Sequence, residues 1–269
     1  MTVEALDSYE LKVEKGKYWT LPLKFENPEN FALFEVNVND NLDIRAYVLD
    51  DDNFATWTYN LQARRAGARV GGLPIVEMYS SATLQWGTLS FRPPRAGLYH
   101  FVLDNTYSTL TPKRIRLTVY RLEVGDPVRR SVREVALGRG WNDVWGYFEQ
   151  AEDHLSQGRL ASCCDDLRRG LINLWIKVCE ALSGEPVYLG AGKATDVGQL
   201  KQRLRAYTPD YTIAPITQAW SLASELSKTE RRGGAEPPLN QVVLAYRMTY
   251  AAAAFLVSIQ VGIMPAERQ

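Results

Sequence analysis

The chain has 269 residues, and its 31 basic side chains balance 31 acidic ones, so the formal net charge is +0. Because compact domains hold about 100–200 residues each, this length predicts two domains. The balanced charge excludes the general attraction to phosphate on which non-specific nucleic-acid binders depend. The three cysteines fall on a helical pattern and not in a spaced disulfide framework, which predicts reduced, buried thiols in a cytosolic protein.

No membrane segment is predicted. The N-terminal residues lack the basic start and the apolar core of an export signal. The best candidate for a span, residues 242–264, contains Arg247, Thr249, Ser258 and Gln260, and we interpret it as a buried helix of a bundle. The sequence therefore predicts a cytoplasmic protein without a transmembrane helix.

From residue 9 to about residue 122, apolar and polar residues alternate in short runs separated by turn clusters. This spacing predicts the antiparallel strands of a sandwich or barrel. Residues 86–121 contain three such runs, and we expect them to form three consecutive antiparallel strands. Asn105 is assigned a structural role in the turn between the last two runs, because asparagine tolerates left-handed backbone and its side chain bonds turn amides.

Two stretches within this half are interpreted as loops. Residues Asp50, Asp51 and Asp52 form an acidic run that is typical of a solvated loop tip. Residues 60–74 combine arginines with glycines, which indicates a mobile basic loop. His100, which lies within a predicted strand, is expected at the surface or at a sheet edge.

The second half has a different period. Charged residues predict a linker over residues 123–139, and apolar residues then recur every three or four positions, which indicates helices. About five helices are expected, within residues 142–158, 160–182, 196–207, 213–228 and 239–263. The predicted fold class is α+β, with an antiparallel β-sandwich over residues 1–122 followed by an α-helical bundle over residues 140–269.

The segment from Gly97 to Ser108, followed by Lys113, is similar to the signature G-x-Y-x-F-x-x-x-N-x-x-S…K of GOLD domains. The strand from Asp43 to Asp50 is similar to that family's L-D-V-x-F-x-V-x-D pattern. The N-terminal half, roughly residues 8–122, therefore resembles a GOLD-domain β-sandwich. This resemblance implies protein–protein or lipid-linked adaptor work and no catalysis. The export signal and membrane span of p24-type GOLD proteins are not found here, so a cargo-receptor role does not transfer.

The helical half is loosely similar to HEPN-type bundles, which are common in bacterial toxin and defence systems. The members that cut RNA carry an arginine, then four to six residues, then a histidine. That spacing does not precede His154, where the corresponding positions hold Tyr147, Phe148 and Glu149. A nuclease would instead need His154, Asp165, Arg168 and Arg169 to converge in a cleft.

The predicted function is a non-catalytic binding or adaptor component of a larger assembly, with a protein partner. Contact residues are expected among the arginines of residues 60–74 and among aromatic residues near turns. The predicted binding residues are Trp57, Tyr59, Arg64, Arg65, Arg69, Tyr79 and Tyr107. The alternatives are a HEPN-like, RNA-targeting toxin or defence component and a peripheral lipid-binding protein that contacts membranes through the basic loop.

No catalytic residues, metal site or cofactor are predicted. The chain has only two histidines, His100 and His154, which leaves little for catalytic triads or histidine-rich metal sites. The sequence specifies neither the identity of the partner nor the oligomeric state.

Overall fold

The structure is a computed structural model that describes residues 5–39, 42–67, 76–123, 125–187, 197–229 and 236–263. By its internal contacts the chain divides between residues 124 and 125 into an N-terminal unit and a C-terminal unit. The first unit contains two antiparallel sheets and the second contains helices, which confirms the predicted α+β class.

Eight strands form the sheets of the N-terminal unit in the part of the chain that is described. Their bounds are β1 (Ala5–Val13), β2 (Tyr18–Phe25), β3 (Phe31–Val38), β4 (Ile44–Asp50), β5 (Ser80–Leu84), β6 (Trp86–Phe91), β7 (Gly97–Asp104) and β8 (Lys113–Leu122). The first sheet has the order β1-β8-β3-β6 and the second has the order β2-β7-β4-β5. The sheets pack face to face through buried side chains of both, such as Phe34 and Phe101, whose rings stack with centroids 4.0 Å apart.

The three strands predicted over residues 86–121 are present as β6, β7 and β8, but they do not pair with one another. β6 and β8 both pair with β3 in the first sheet, whereas β7 pairs with β2 and β4 in the second. Consecutive strands therefore alternate between the two layers. Alternation of apolar residues identifies a strand but does not identify its partner, because either layer offers the same buried face.

Helix α1 (Asp51–Arg65) contains Asp51 and Asp52 of the predicted loop tip and residues 60–65 of the second predicted loop. Asp50 caps it, since its Oδ1 accepts a hydrogen bond from the backbone N–H of Asn53 at 2.9 Å. The acidic residues that follow lie in the first turn, where the helix dipole favours negative charge, and Arg64 lies in the last turn, where it favours positive charge. The interpretations of a loop tip at Asp51 and of a loop beginning at Asn60 were wrong, and residues 68–75 lie outside the described part of the chain.

Helix α1 packs on the outer face of the second sheet. Phe54 and Trp57 contact a small apolar cluster there that includes Leu49 and Val102. His100 lies beneath the helix: its ring stacks on Phe54 with centroids 4.1 Å apart. His100 is therefore buried in a central strand, and the expectation of a surface or edge position was wrong.

The described C-terminal unit contains six helices. They are α2 (Pro127–Gly138), α3 (Asn142–Ser156), α4 (Leu160–Ser183), α5 (Val197–Leu204), α6 (Asp210–Leu226) and α7 (Leu239–Ile263). Helix α2 occupies most of the predicted linker. Asp126 accepts a hydrogen bond from the N–H of Val128 at 2.6 Å, Pro127 stands at the first position, and the apolar residues Val132 and Ala136 are buried.

The core of the C-terminal unit is built around α4, which packs against α3, α6 and α7 and buries Trp175 completely. Cys163, Cys164 and Cys179 are buried free thiols, which confirms their predicted burial. Among the described helices, α7 is long and apolar enough to cross a membrane over Leu239–Val261, with a mean hydropathy of 1.7. A helix at the core of a folded unit meets the same test, and 61% of this window is buried.

Candidate functional site

A cleft of about 1010 Å³ lies on the outer face of the second sheet, beside the C-terminal end of α1. Its walls come from α1, β4, β5, residues 76–78 and the turn after β7. The residues that give it chemical character are Arg45, Trp57, Arg64, Arg65, Asp104 and Tyr107. We call it the arginine cleft.

Strand register places Arg45 at the centre of one wall. Arg45 is opposite Thr83 of β5 on one side and opposite Asp104 of β7 on the other. Opposite residues in antiparallel strands point to the same face of a sheet, so these three side chains form one row across the outer face. A second row, two residues along β4, contains Ser81 and Tyr47.

Positive charge in the arginine cleft exceeds negative charge. Arg45, Arg64 and Arg65 line it with one carboxylate, Asp104, and none of the three arginines forms a salt bridge with a described residue. The guanidinium of Arg45 lies over the ring of Tyr107 with its Cζ 4.5 Å from the centroid. Arg65 donates a hydrogen bond from Nη2 to the carbonyl oxygen of Gly16. The remaining guanidinium N–H groups of these arginines can donate hydrogen bonds to an anionic partner.

Two tyrosines of the cleft remain protonated at neutral pH. Burial, followed by the negative charges of Asp43 and Asp104, raises the pKa of Tyr107 to about 12, and its hydroxyl donates to the carbonyl oxygen of Asp43 at 2.9 Å. Burial and the charge of Asp104 also raise the pKa of Tyr47. Arginine therefore supplies the cationic groups of the cleft, and tyrosine supplies neutral polar surface.

The structure brings together only part of the predicted binding set. Trp57, Arg64, Arg65 and Tyr107 line the arginine cleft. The remaining predicted residues have other surroundings: Tyr59 is on α1 and 64% exposed, Tyr79 donates its hydroxyl to Asp50 Oδ2 at 2.9 Å, and Arg69 lies outside the described residues.

Arg45 and Asp104 line the cleft but were not among the predicted binding residues. The signal was present in the alternation of β4, where the exposed Arg45 shares a face with Tyr47. The alternation alone does not indicate a cleft on this face, because α1, which forms the opposite wall, was not predicted.

Asn105 is fully buried in the turn after β7. Its side-chain Nδ2 lies within hydrogen-bonding distance of the carbonyl oxygens of Val13, Glu14 and Thr111, at 3.1, 3.3 and 3.0 Å. Lys113, the last residue of the same motif, is also buried, and its Nζ lies 3.6 Å from Asp43 Oδ1. Asn105 therefore holds the turn after β7 to residues 13 and 14, and Lys113 links the start of β8 to the residue before β4.

In the C-terminal unit, each polar residue considered for a nuclease has a partner of opposite or complementary character on α4. His154 Nδ1 lies 2.8 Å from Asp166 Oδ2. Asp165 binds both Arg168 and Arg169 at 2.8 Å. Each arginine of this group thus shares an acidic partner on its own helix.

A second polar group of this unit is buried. Glu152 accepts hydrogen bonds from Arg129 at 2.7 and 2.9 Å, from the Tyr246 hydroxyl at 3.0 Å and from the Tyr250 hydroxyl at 2.6 Å. Burial raises the pKa of both tyrosines well above the ordinary value, so they remain donors. This network joins α2, α3 and α7, and its carboxylate is satisfied by the protein itself.

Within the described residues, no three histidine, cysteine, aspartate or glutamate side chains are grouped so as to hold a metal ion. Comparison of the sequence with protein-family models and with curated proteins finds no match. The structure itself shows two four-stranded antiparallel sheets followed by helices, an arrangement compatible with a sandwich and a helical part.

Proposed function

We propose that this protein is a non-catalytic, cytoplasmic binding component of a larger assembly, and that its arginine cleft holds a protein partner. The observation that carries this proposal is that Trp57, Arg64, Arg65 and Tyr107 line one cleft. Arginine, tryptophan and tyrosine are enriched among the residues that dominate binding energy at protein interfaces.

A GOLD-like module is the proposed carrier of this cleft. Two face-to-face antiparallel sheets support such a sandwich, as do the buried positions of Asn105 and Lys113. The motif residues act in packing and turns, which leaves the outer face of the second sheet and α1 for recognition. Packing and recognition are therefore carried out by different residues of the same unit.

An RNA-targeting role for the C-terminal unit is the weaker candidate. Arg168 and Arg169 share Asp165, and His154 is held by Asp166, so the acidic groups offset the attraction of this surface for phosphate. A nuclease of this type should lose RNA cleavage in a stably folded His154→Ala variant, whereas an adaptor should keep its biological activity in that variant.

The proposal is tested with tagged full-length protein expressed in its native cell. Arg64 is exposed and forms no ion pair or side-chain hydrogen bond with a described residue, so Arg64→Glu should reverse the charge without unfolding the protein. Arg114→Glu is the matched control, because Arg114 is an exposed arginine of β8 outside the cleft. We expect a partner that co-purifies with the wild type and with R114E and is lost with R64E.

Three results would count against this function. Equal recovery of every partner with R64E would remove the cleft from the interaction. Arg64-dependent flotation with anionic vesicles, in the absence of a protein partner, would favour the peripheral lipid-binding alternative. RNA cleavage that depends on His154 would favour the nuclease.

A further inference from the structure

We infer that the partner presents an acidic, extended segment that adds as a strand to the outer edge of β5, with its carboxylates facing the arginine cleft. The inference rests on the proposed function and gives the chemistry of the partner. Strand geometry, charge and the size of the cleft each support it.

Strand β5 is the outermost strand of the second sheet, and it pairs only with β4 among the described residues. An edge strand presents backbone N–H and C=O groups that a further strand can pair with. Ser81, Ala82 and Thr83 of this strand also line the arginine cleft. A segment that pairs with β5 is therefore placed directly at the cleft.

The register predicts which side chains such a segment would bring to the arginines. Alternate residues of an added strand point to the outer face, beside Ser81 and Thr83, whose side chains are short. Adjacent strands are about 4.8 Å apart, so the backbone of the added strand lies about 10 Å from that of Arg45. A glutamate and an arginine reaching toward each other span that gap, and Arg64 and Arg65 approach from the opposite wall.

Charge and volume favour a chain segment over a small anion. Three arginines and one carboxylate line the cleft, which selects an acidic ligand. Its volume of about 1010 Å³ is at the upper end of the range of about 300–1,000 Å³ for small-molecule sites. A single phosphate or carboxylate would leave most of that volume and the β5 edge unused.

The test uses a fluorescein-labelled peptide of alternating valine and glutamate, with alternating valine and lysine as the charge control. Binding to the full-length protein is measured by fluorescence anisotropy. We expect the acidic peptide to bind and the basic peptide not to bind. Affinity for R64E and for Arg45→Glu should be about tenfold weaker or more, while R114E should bind like the wild type.

Strand addition is separated from simple charge attraction by two further acidic peptides, N-methylated on alternate residues in the two opposite phases. Only alternate backbone N–H groups of a strand face its neighbour, so one phase should abolish binding and the other should preserve it. Equal effects of both phases would overturn strand addition. Failure of the acidic peptide to bind would overturn the inference, even where R64E still loses a natural partner.

Competition distinguishes other sources of negative charge. Inorganic phosphate, anionic phospholipid vesicles and single-stranded RNA are added separately to the labelled complex. The inference expects weak competition from each at the same ionic strength. Tight, Arg64-dependent binding of one of them, in place of the acidic peptide, would overturn it.

Discussion

At the scale of single residues, Asn105 is the clearest test of the sandwich. One side-chain amide lies within hydrogen-bonding distance of three carbonyl groups from two segments, Val13 and Glu14 in one and Thr111 in the other. Asn105→Ala leaves these buried acceptors short of a donor, so the N-terminal unit should lose about 1–3 kcal/mol of unfolding free energy. Denaturant unfolding measures this loss.

The companion variant is Asn105→Asp, which keeps the shape of the side chain but replaces the donor by an acceptor. At neutral pH it should destabilise the unit at least as much as the alanine variant, because a carboxylate would then face the three carbonyl oxygens. An unchanged transition in both variants, together with lost partner binding, would make Asn105 a recognition residue.

Asp50 predicts a pH dependence of the same unit. Burial raises its pKa, but hydrogen bonds from Asn53 and Tyr79 and the nearby Arg95 together outweigh burial, so the pKa lies below the ordinary value. A carboxyl group whose pKa is lowered by folding stabilises the protein above its unfolded-state pKa, and this contribution is lost as the pH falls through the folded-state value. The stability advantage of the wild type over Asp50→Asn should therefore be present at neutral pH and shrink as the pH falls below the ordinary aspartate pKa of about 3.9.

Urea unfolding of both proteins over this pH range measures the advantage. Asp52→Asn is the control, because Asp52 lies in the same first turn of α1 with an exposed side chain. A difference in unfolding free energy between the wild type and Asp50→Asn that grows as the pH falls would contradict a lowered pKa of Asp50.

At the scale of elements, Glu152 links α2 to α3 and α7 through a buried carboxylate. It collects donors from α2 and α7 while itself belonging to α3. Glu152→Ala removes the buried carboxylate to which Arg129, Tyr246 and Tyr250 donate, and breaking a buried ion pair in this way costs about 3–5 kcal/mol. Glu149→Ala, an exposed position of the same helix, should cost little. Thermal unfolding compares the two, and similar losses in both would argue against the network.

The elements that the sequence predicted are those with a strong apolar period. β1 to β4 and α3 to α7 contain apolar residues at periods of two or of three to four, because each of them buries at least one face. α1 was not predicted because most of its residues are polar, and α2 was not predicted because its four charged residues were interpreted as a linker. Their start signals were present in the caps, Asp50 before α1 and Asp126 before Pro127 at the start of α2.

The candidate site was predicted only in part for a related reason. Trp57, Arg64, Arg65 and Tyr107 were identified as residue types suited to binding, but their meeting in one cleft depends on α1 lying across the second sheet. Tertiary placement of a polar helix leaves little trace in a local pattern, because its outer face is polar and its inner face is narrow.

At the scale of the whole molecule, the division near residue 124 predicts two unfolding events. Asn105→Ala and Glu152→Ala lie in different units, so each should move one calorimetric transition and leave the other in place. A single transition that both variants shift equally would show that the units unfold as one.

Strand pairing in the N-terminal unit also has a kinetic consequence. β1 pairs with β8, β2 with β7, and β3 with β6 and β8, so most partners are far apart in sequence. Such contacts form only after a large loop has closed. Closing the loop costs conformational entropy before the contact contributes any favourable energy, and this slows folding. On the ribosome, the first sheet cannot form completely until β8 has been synthesised, because β8 lies between β1 and β3. Until then the backbone groups of β1 and β3 that pair with β8 have no partner strand. Synthesis of the last strand therefore determines when this unit can complete its fold.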